Sequence, residues 1–348
     1  MNRDATLLAR ALYDPMSAAP LDAAGWTDLI AIARAEQLTG TLVHRVADVP
    51  KPPAASRILA DARASIADQR RAALWEAEAA RRALISIGTP IILLKGTAYA
   101  AAELTAGEGR SIGDLDILVP RDAIAQVERA LLAAGWEWAK PDPYDDAYYR
   151  RWMHELPPLI HRERDRMIDV HHTILPLTAR ITPDAQAMIA DSVLLDNGLR
   201  ILSAPDMICH AAAHLFADGD LAGGLRNLWD IDRLCRDFMM RHEDFCLSVY
   251  KRARHHGLLV AVQRAFRLAR DIYETPVRGY SAPICVSLDS RSSDALFRRR
   301  LLARDGWGRP TRRLTRFGFY VRSHWLRMPP AMLVRHLWTK WRKGYRSA

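Results

Sequence analysis

The sequence predicts an α+β protein in which a small α/β unit with a sheet lies between helical regions. Residues 57–87 are rich in Ala, Arg and Glu and contain no Gly or Pro, as expected of one long helix. Two short apolar runs, 91–94 and 115–119, have the length and β-branched content of buried strands. Apolar residues return to helical spacing across 183–274, so helices are expected on both sides of the sheet.

The order of the first elements follows from local signals. Residues 21–36 have apolar positions at helical spacing, and the Gly-Thr-Pro sequence at 88–90 interrupts the helical region that contains them. After the first strand, a helix is expected to start directly behind Gly96. Pro120 opens an amphipathic helix, and Gly135 ends it as a C-terminal capping residue would.

The second half of the chain continues with a hairpin and then helices. Polar residues 162–166 separate the apolar runs 159–161 and 167–174, which predicts two antiparallel strands. Further helices are predicted at 204–215, 225–238, 248–272 and, rich in basic residues, 331–345. The predicted regions are a helical region at 1–87, an α/β core at 88–175, a helical domain at 176–280 and an Arg/Trp-rich basic tail at 281–348.

The positive charge of the chain is concentrated at one end. The net charge is +10, but residues 298–348 contain 15 basic residues and one acid, and the remainder is slightly acidic. The high isoelectric point is therefore a property of the tail. Basic residues interleaved with tryptophans predict that 298–348 contacts RNA, an acidic peptide or, peripherally, an anionic membrane surface. A solvated helix face is the alternative.

Several classes of protein are disfavoured by composition. No apolar run reaches the roughly 18 to 20 residues that a membrane span needs. The four cysteines form no CxxC or similar pair, which argues against a zinc site and for a reducing compartment. The first residues lack the apolar region of a signal peptide. We therefore expect a cytoplasmic protein without a transmembrane segment.

Two acids in the second predicted strand are the first sign of chemistry. Asp114 and Asp116 flank Leu115, and a strand places residues i and i+2 on one face, roughly 6.5 Å apart along the backbone. Carboxylates so close together repel each other, and a divalent cation offsets that repulsion. Mg²⁺ suits such a site because it takes one or two carboxylates plus substrate phosphates. Two solvated acids at a strand end are the alternative interpretation.

A third acid and a histidine lie on a later strand. Asp169 interrupts the apolar run 167–174, and it would suit the second metal of a two-metal displacement. His171 should share its face of the strand, where it could contact phosphate or carry a proton. A surface acid and a structural histidine are the alternatives.

The turn between the first strand and its helix has features of a phosphate-binding loop. Gly96 allows close approach of the backbone, and a helix N-terminus offers free N–H groups. Lys95 would add a cation and Thr97 a hydroxyl donor. The turn is not a Walker A loop, because GxxxxGK[ST] is absent. Arg110, just upstream of the acids, could pair with a triphosphate, or it could be an exposed loop arginine.

Together these residues resemble a known group of enzymes. The Gly96-Thr97 turn, the Asp114-x-Asp116 strand and the later Asp169 resemble the DNA polymerase beta nucleotidyltransferase superfamily. A closer resemblance is to the uncharacterised nucleotidyltransferase family of bacteria. It extends over roughly 20–240 and rests on Leu93-Leu94-Lys95-Gly96, on 110–119, on Leu132-x-x-Gly135 and on Leu225-Arg226-Asn227-Leu228-Trp229-Asp230-Ile231.

The resemblance implies a minimal nucleotidyltransferase core with a mixed sheet, flanked by helical domains. It implies two Mg²⁺ ions and an NTP substrate, with ATP expected. The residues implied to bind nucleotide are Lys95, Gly96, Thr97, Arg110 and Ser111, and those implied to bind metal and act in catalysis are Asp114, Asp116 and Asp169. Thr97 stands where the superfamily usually has Ser, and the interval from Thr97 to Asp114 is longer than usual.

The implied reaction moves NMP to a hydroxyl or phosphate of an acceptor, which is a peptide, a protein, RNA or a small molecule. His171 and Asp230 are candidates for accepting its proton. Three alternatives stay open. The same site could transfer a γ-phosphoryl group as a kinase does, or the acids could serve a sugar-nucleotide glycosyltransferase, although no nucleotide-binding βαβ unit precedes them. A catalytically inactive module could instead use its basic tail to bind RNA or a membrane.

Overall fold

A computed structural model describes residues 4–139, 142–277 and 288–327, together with Leu333 and Trp338. The predicted basic helix at 331–345 lies, apart from those two residues, outside the described part. The helices are α1 (Thr6–Tyr13), α2 (Ala23–Ala35), α3 (Thr39–Arg45), α4 (Pro53–Leu84), α5 (Lys95–Ala101), α6 (Ile124–Ala133), α7 (Pro143–Trp152), α8 (Ala185–Ala190), α9 (Ala204–Ala212), α10 (Gly224–Met239), α11 (Phe245–His255), α12 (Leu259–Tyr273), α13 (Leu288–Leu301) and α14 (Arg313–Arg327).

Seven short strands form one mixed sheet in the order β3-β4-β5-β2-β1-β7-β6. The strands are β1 (Ile92–Leu93), β2 (Leu115–Leu118), β3 (Trp136–Trp138), β4 (Leu159–His161), β5 (Met167–His171), β6 (Val193–Leu194) and β7 (Arg200–Ile201). Two neighbouring pairs, β2 with β5 and β1 with β7, are parallel, and the other pairs are antiparallel. The predicted α+β class is confirmed.

The central predictions of secondary structure agree with the observed elements. The long helix is α4, which ends in a 3-10 turn before Gly88 at a φ of 68°. The hairpin is β4 and β5, and Gly135 follows α6 at a φ of 102°. The prediction of a helix starting behind Gly96 was slightly wrong, because α5 begins at Lys95.

One of the predicted helices is divided into two helices in the structure. The segment 248–272 divides into α11 and α12 because Gly257 adopts a φ of 68°, which an α-helix cannot continue through. The residues directly after α9, Ala213–Asp218, form a π-helix. The strands β6 and β7 have only two residues each, so they carry too little pattern to be seen in the sequence.

Among the described residues, one large hydrophobic core joins the sheet to the helices around it, from Ala5 to Phe319, and a second, small cluster consists of Ala73, Ala100 and Ile112. The sheet itself extends past residue 175, because β7 pairs with β1. The basic segment also packs on this core: the ring of Phe297 lies 5.6 Å from that of Phe216, and Arg304 Nε donates to Glu36 Oε1 at 2.7 Å. The described part of the segment is thus integral to the fold. Among the described residues, no helix has the length and apolar character to cross a bilayer.

Candidate active site

The carboxylates of Asp116 and Asp169 belong to neighbouring parallel strands. Asp116 on β2 is in register with Asp169 on β5, so both side chains leave the same face of the sheet. Asp116 is buried and Asp169 partly so. Asp114 lies just before β2 and is exposed. Of the three acids predicted from the sequence, the structure therefore brings Asp116 and Asp169 together on one face of the sheet, and Asp114 lies two residues before Asp116 at the surface.

Asp116 is held by two cationic or polar partners. Lys95 Nζ lies 2.6 Å from Asp116 Oδ1, and His171 Nε2 lies 3.1 Å from the same oxygen. Burial acts to raise the pKa of Asp116, but the charge of Lys95 and the hydrogen bond from His171 outweigh it, so the pKa lies well below its usual range. Asp116 is consequently an anion at any ordinary pH.

Asp169 has the opposite character. Burial, followed by the neighbouring charges of Asp116 and Glu155, raises the pKa of Asp169 to about 7. Its Oδ1 is buried, and no described group donates a hydrogen bond to it. His171 and Lys95 act to lower this pKa but do not offset the burial and the neighbouring acids, so the carboxyl group can take up or release a proton near neutrality.

The turn behind β1 brings Lys95 and Gly96 to the site, but not Thr97. Lys95 begins α5 with a φ of 49°, and its side chain turns toward β2. A Cβ on Gly96 would lie 3.3 Å from Arg110 Cγ, so the glycine lets the arginine loop pack closely. Thr97 is only 1% exposed and is not among the residues that line the cleft described below. Its predicted role as a phosphate donor stays a prediction without support from this geometry.

Arg110 is not an exposed loop arginine. It is 6% exposed and its Nη2 lies 3.0 Å from Oδ2 of Asp230, which is itself buried on α10. Burial raises the pKa of Asp230 to about 6, although Arg110 and Arg226 act in the other direction. Asp230 and Arg110 thus form a buried ion pair across the cleft. The remaining donors of Arg110, Nε and Nη1, have no hydrogen-bond partner among the described residues.

The loop of Arg110 is fixed by a close backbone crossing. Gly109 adopts a φ of 67°, and a Cβ there would come within 2.3 Å of the carbonyl oxygen of Gly40, at the start of α3. Ser111 Oγ then donates to Gln69 Oε1 on α4 at 2.9 Å. The N-terminal helices therefore position the loop that carries Arg110 and Ser111.

These groups surround one cleft between the sheet and the helical domain. The space between the surrounding atoms, including the part open to solvent, is about 650 Å³. Its walls come from α5, from the loop before β2 and from α9 and α10. The lining residues are Lys95, Gly96, Tyr99, Arg110, Ser111, Ile112, Gly113, Asp114, Asp116, His210, Ala211, His214, Arg226, Asn227 and Asp230.

The helical domain adds residues that sequence reasoning had left aside. Arg226 lines the cleft, and burial followed by the charge of Arg110 lowers its pKa to about 10. Its Nε also has no partner among the described groups. His210 and His214 face the same space, and burial lowers the pKa of both, that of His214 to about 3, so both are neutral. Their i, i+4 spacing was visible in the sequence, but their position beside Lys95 was not.

Glu155 is the other residue missed from the sequence. Its backbone bridges that of His171 in antiparallel fashion, and its Oε2 lies 3.3 Å from His171 Nδ1. Glu155 therefore brings a further carboxylate to the end of β5, next to Asp169. Because it follows the helix α7 in a short irregular segment, no strand pattern marked it.

The donor set fits a hard divalent cation. Carboxylate oxygens are the protein ligands that Mg²⁺ prefers. Asp116 and Asp169 supply them from paired positions on neighbouring strands, and Asp114 supplies one at the entrance to β2. The buried, unpartnered Oδ1 of Asp169 is an oxygen with unused ligand capacity. Lys95 already places a positive charge against Asp116, which indicates that this oxygen is stabilised by a cation. Asp114, Asp116 and Asp169 are thus suited to hold Mg²⁺.

A mixed sheet with acids on adjacent strands, beside a cation-lined cleft, is the arrangement of a nucleotidyltransferase-like core. The chain belongs to the family described as uncharacterised nucleotidyltransferase, whose model matches residues 22–274. This match supports a general function in nucleotidyl transfer. No curated protein matches the chain.

Proposed function

We propose that the protein is a Mg²⁺-dependent enzyme that transfers NMP from an NTP, with ATP expected, to a hydroxyl or phosphate oxygen of an acceptor. The observation that carries the proposal is the composition of the cleft. The carboxylates of Asp114 and Asp116 line the same space as Arg110 and Arg226, and the Nε atoms of both arginines have no hydrogen-bond partner among the described residues. A nucleoside triphosphate bound to a metal ion presents the complementary charges to both.

In this proposal the chain acts mainly by position and charge. Lys95, Arg110 and Arg226 bind phosphate oxygens, and Ser111 and the backbone at Gly96 complete the nucleotide site. Asp114, Asp116 and Asp169 would hold Mg²⁺, which would supply positive charge to offset that of the triphosphate. The acceptor oxygen forms a bond to the α-phosphorus, the bond to the bridging oxygen of the β-phosphate breaks, and pyrophosphate leaves with the electron pair.

Asp169 is the group best suited to take the proton of the acceptor. In the site without metal its pKa is about 7, and a Mg²⁺ ion at the carboxylate would lower that pKa and keep the group ionised, as a proton acceptor must be. Asp230 was a candidate for the same role, but its ion pair with Arg110 assigns it to holding that arginine. His171 supports Asp116 through a hydrogen bond, and we assign it a positioning role.

Calorimetric titration with ATP, with and without Mg²⁺, tests the nucleotide site without knowledge of the acceptor. We expect Mg²⁺ to tighten ATP binding in the wild type and to have no such effect in Asp116→Asn. Asp61→Asn, an exposed acid on α4, is the control and should behave as the wild type. Equal affinity of wild type and Asp116→Asn at saturating Mg²⁺ would contradict the proposal.

The position of the transferred group separates nucleotidyl from phosphoryl transfer. The enzyme is incubated with α-labelled or γ-labelled ATP and with fractions of protein, RNA and small molecules. Label from the α position, with release of pyrophosphate, is expected in the acceptor. Transfer from the γ position alone would assign the site to a kinase reaction instead.

A further inference from the structure

Two histidines and a glutamate lie together at the end of β5, beside the proposed Mg²⁺ ligands. One nitrogen each of His154 and His171 and one oxygen of Glu155 all lie within 4.8 Å of one another. The rings of the two histidines are 5.2 Å apart. The mechanism above uses only the contact of His171 with Asp116, so the other side of this cluster has no assigned role.

The distances within the cluster are longer than ordinary hydrogen bonds. Glu155 Oε2 lies 3.3 Å from His171 Nδ1 and 3.7 Å from His154 Nε2, whereas N–H···O bonds usually measure about 2.7–3.2 Å. A tetrahedral metal ion with bonds of roughly 2.0–2.2 Å separates its ligand atoms by roughly 3.3–3.6 Å. The separation of Glu155 Oε2 from His171 Nδ1 falls in this range, that from His154 Nε2 is 0.1 Å longer, and all three ligand atoms lie within 4.8 Å of one another, so a small adjustment of side chains would let them share one ion.

The backbone holds the three ligands in place. His172 N–H donates to the carbonyl oxygen of His154 at 2.9 Å, and Leu156 N–H donates to that of Val170 at 2.9 Å. The segment with His154 and Glu155 is thus bonded to β5 on both sides of His171. A site built on such a paired backbone needs little reorganisation to bind an ion.

The second nitrogen of His171 has the partner that a metal-bound histidine usually has. His171 Nε2 lies 3.1 Å from Asp116 Oδ1. Histidines that bind a metal through one nitrogen typically donate the other N–H to a carboxylate, which fixes the tautomer and raises the basicity of the ligand. Asp116 supplies that carboxylate, and His171 Nδ1 is left free to face Glu155.

We propose that His154, Glu155 and His171 bind a divalent transition-metal ion of the zinc class, separate from the Mg²⁺ of the nucleotide site. Imidazole ligands select Zn²⁺ and related ions over Mg²⁺, which requires oxygen ligands. The side chains of His154 and Glu155 are 14% and 16% exposed, so the ion is reachable from solvent. Three protein ligands leave one position for water or substrate, as in catalytic zinc sites.

The ion would link two parts of the enzyme. It would fix the ring of His171, and through that ring it would orient Asp116, one of the proposed Mg²⁺ ligands. The inference does not depend on nucleotidyl transfer, because the cluster is defined by its own geometry. Metal binding and nucleotide chemistry can therefore fail or succeed independently.

Binding of Zn²⁺ alone to the full-length protein tests the proposal. The protein is stripped with a chelator and titrated with Zn²⁺ in a large excess of Mg²⁺, and Co²⁺ is used as a spectroscopic substitute. We expect one tight site and the visible absorption of low-coordinate Co²⁺. His154→Gln should weaken Zn²⁺ binding by more than about 100-fold, since loss of a ligand exceeds the 10–100-fold effect of outer-shell partners.

The matched control is His255→Gln, since His255 is an exposed histidine outside the cluster, paired with Asp184. It should bind Zn²⁺ as the wild type does. Glu155→Gln provides a second variant at a partly exposed position, in case His154→Gln loses its fold. Equal Zn²⁺ binding by the wild type and a folded cluster variant, or no binding by the wild type when Mg²⁺ is in excess, would overturn the proposal.

Discussion

The ammonium group of Lys95 lies 2.6 Å from Oδ1 of Asp116, although the two residues are 21 positions apart in the sequence. Burial acts to lower the pKa of Lys95, but Asp116 outweighs it and raises that pKa, so the lysine stays charged. In the absence of nucleotide, the lysine therefore neutralises an acid that is expected to hold Mg²⁺. If the proposed function is right, Mg²⁺ that enters with the substrate would replace Lys95 at Asp116, and the lysine would become available to phosphate.

Lys95→Gln should separate these two roles. Without nucleotide, we expect Mg²⁺ to bind more tightly, on the order of tenfold, because the competing cation is gone. ATP should bind more weakly, on the order of tenfold, because a phosphate ligand is lost. Calorimetry measures both affinities. Lys251→Gln, at an exposed lysine on α11, is the control. If the two affinities moved in the same direction, the exchange of cations at Asp116 would be refuted.

Asp169 should make stability depend on pH. Its folded pKa of about 7 lies above the unfolded value of about 3.9, so the folded state retains the proton longer. The contribution to stability is fully present below about pH 4 and is lost as the pH rises through 7. Above pH 7, Asp169→Asn should therefore be more stable than the wild type, by on the order of a few kcal/mol.

The measurement for Asp169 is the free energy of unfolding in urea from pH 4 to 8, with a chelator present. Asp165→Asn, at an exposed turn residue with a φ of 53°, is the matched control. Its difference from the wild type should be constant across the range. A constant difference for Asp169→Asn as well would mean that the carboxyl group is already ionised at pH 4 to 7.

The ion pair of Arg110 and Asp230 should contribute to the stability of the fold, and Arg110 should also contribute to ATP binding. Arg110→Gln leaves a buried carboxylate without its partner, which costs about 3–5 kcal/mol in comparable sites. Adding Asp230→Asn removes the buried charge and should restore most of that stability. ATP binding should stay weak in both variants, since the guanidinium group is absent from both.

Unfolding in urea measures the effect of each variant on stability, and calorimetric titration with ATP measures its effect on nucleotide binding. Arg254→Gln, at an exposed arginine on α11, should change neither. Recovery of ATP affinity in the double variant would show that Arg110 serves only to neutralise Asp230.

Gly109 should be sensitive to substitution and Gly113 tolerant. Gly109→Ala combines a φ of 67° with a Cβ placed 2.3 Å from the carbonyl oxygen of Gly40. The free energy of unfolding should therefore fall by more than about 1 kcal/mol. No atom lies within 4 Å of a Cβ on Gly113, so Gly113→Ala should stay within about 0.5 kcal/mol of the wild type. Thermal or urea unfolding of both variants provides the comparison, and similar losses at both positions would contradict it.

Much of the fold was determined locally and could therefore be predicted. The alanine-rich α4 and the hairpin of β4 and β5 depend on periodicity and turn residues that are contiguous in the chain. The carboxylates of Asp114, Asp116 and Asp169 were recognisable because polar residues interrupt apolar strands. Lys95 was recognisable because it follows a strand directly. The resemblance that these residues carry led to the family to which the chain belongs.

The sequence alone did not reveal which charges meet. Arg110 and Asp230 are 120 positions apart, and only the packing of α10 against the loop before β2 makes them a buried pair. Glu155 lies at the site because its backbone forms a bridge to His171 at the end of β5, and no pattern of neighbouring residues in the sequence predicts that bridge. Local pattern fixes the type of each element, because it depends on neighbours in the chain. The pairing of distant charges depends on tertiary packing, and here that packing decided the chemistry of the cleft.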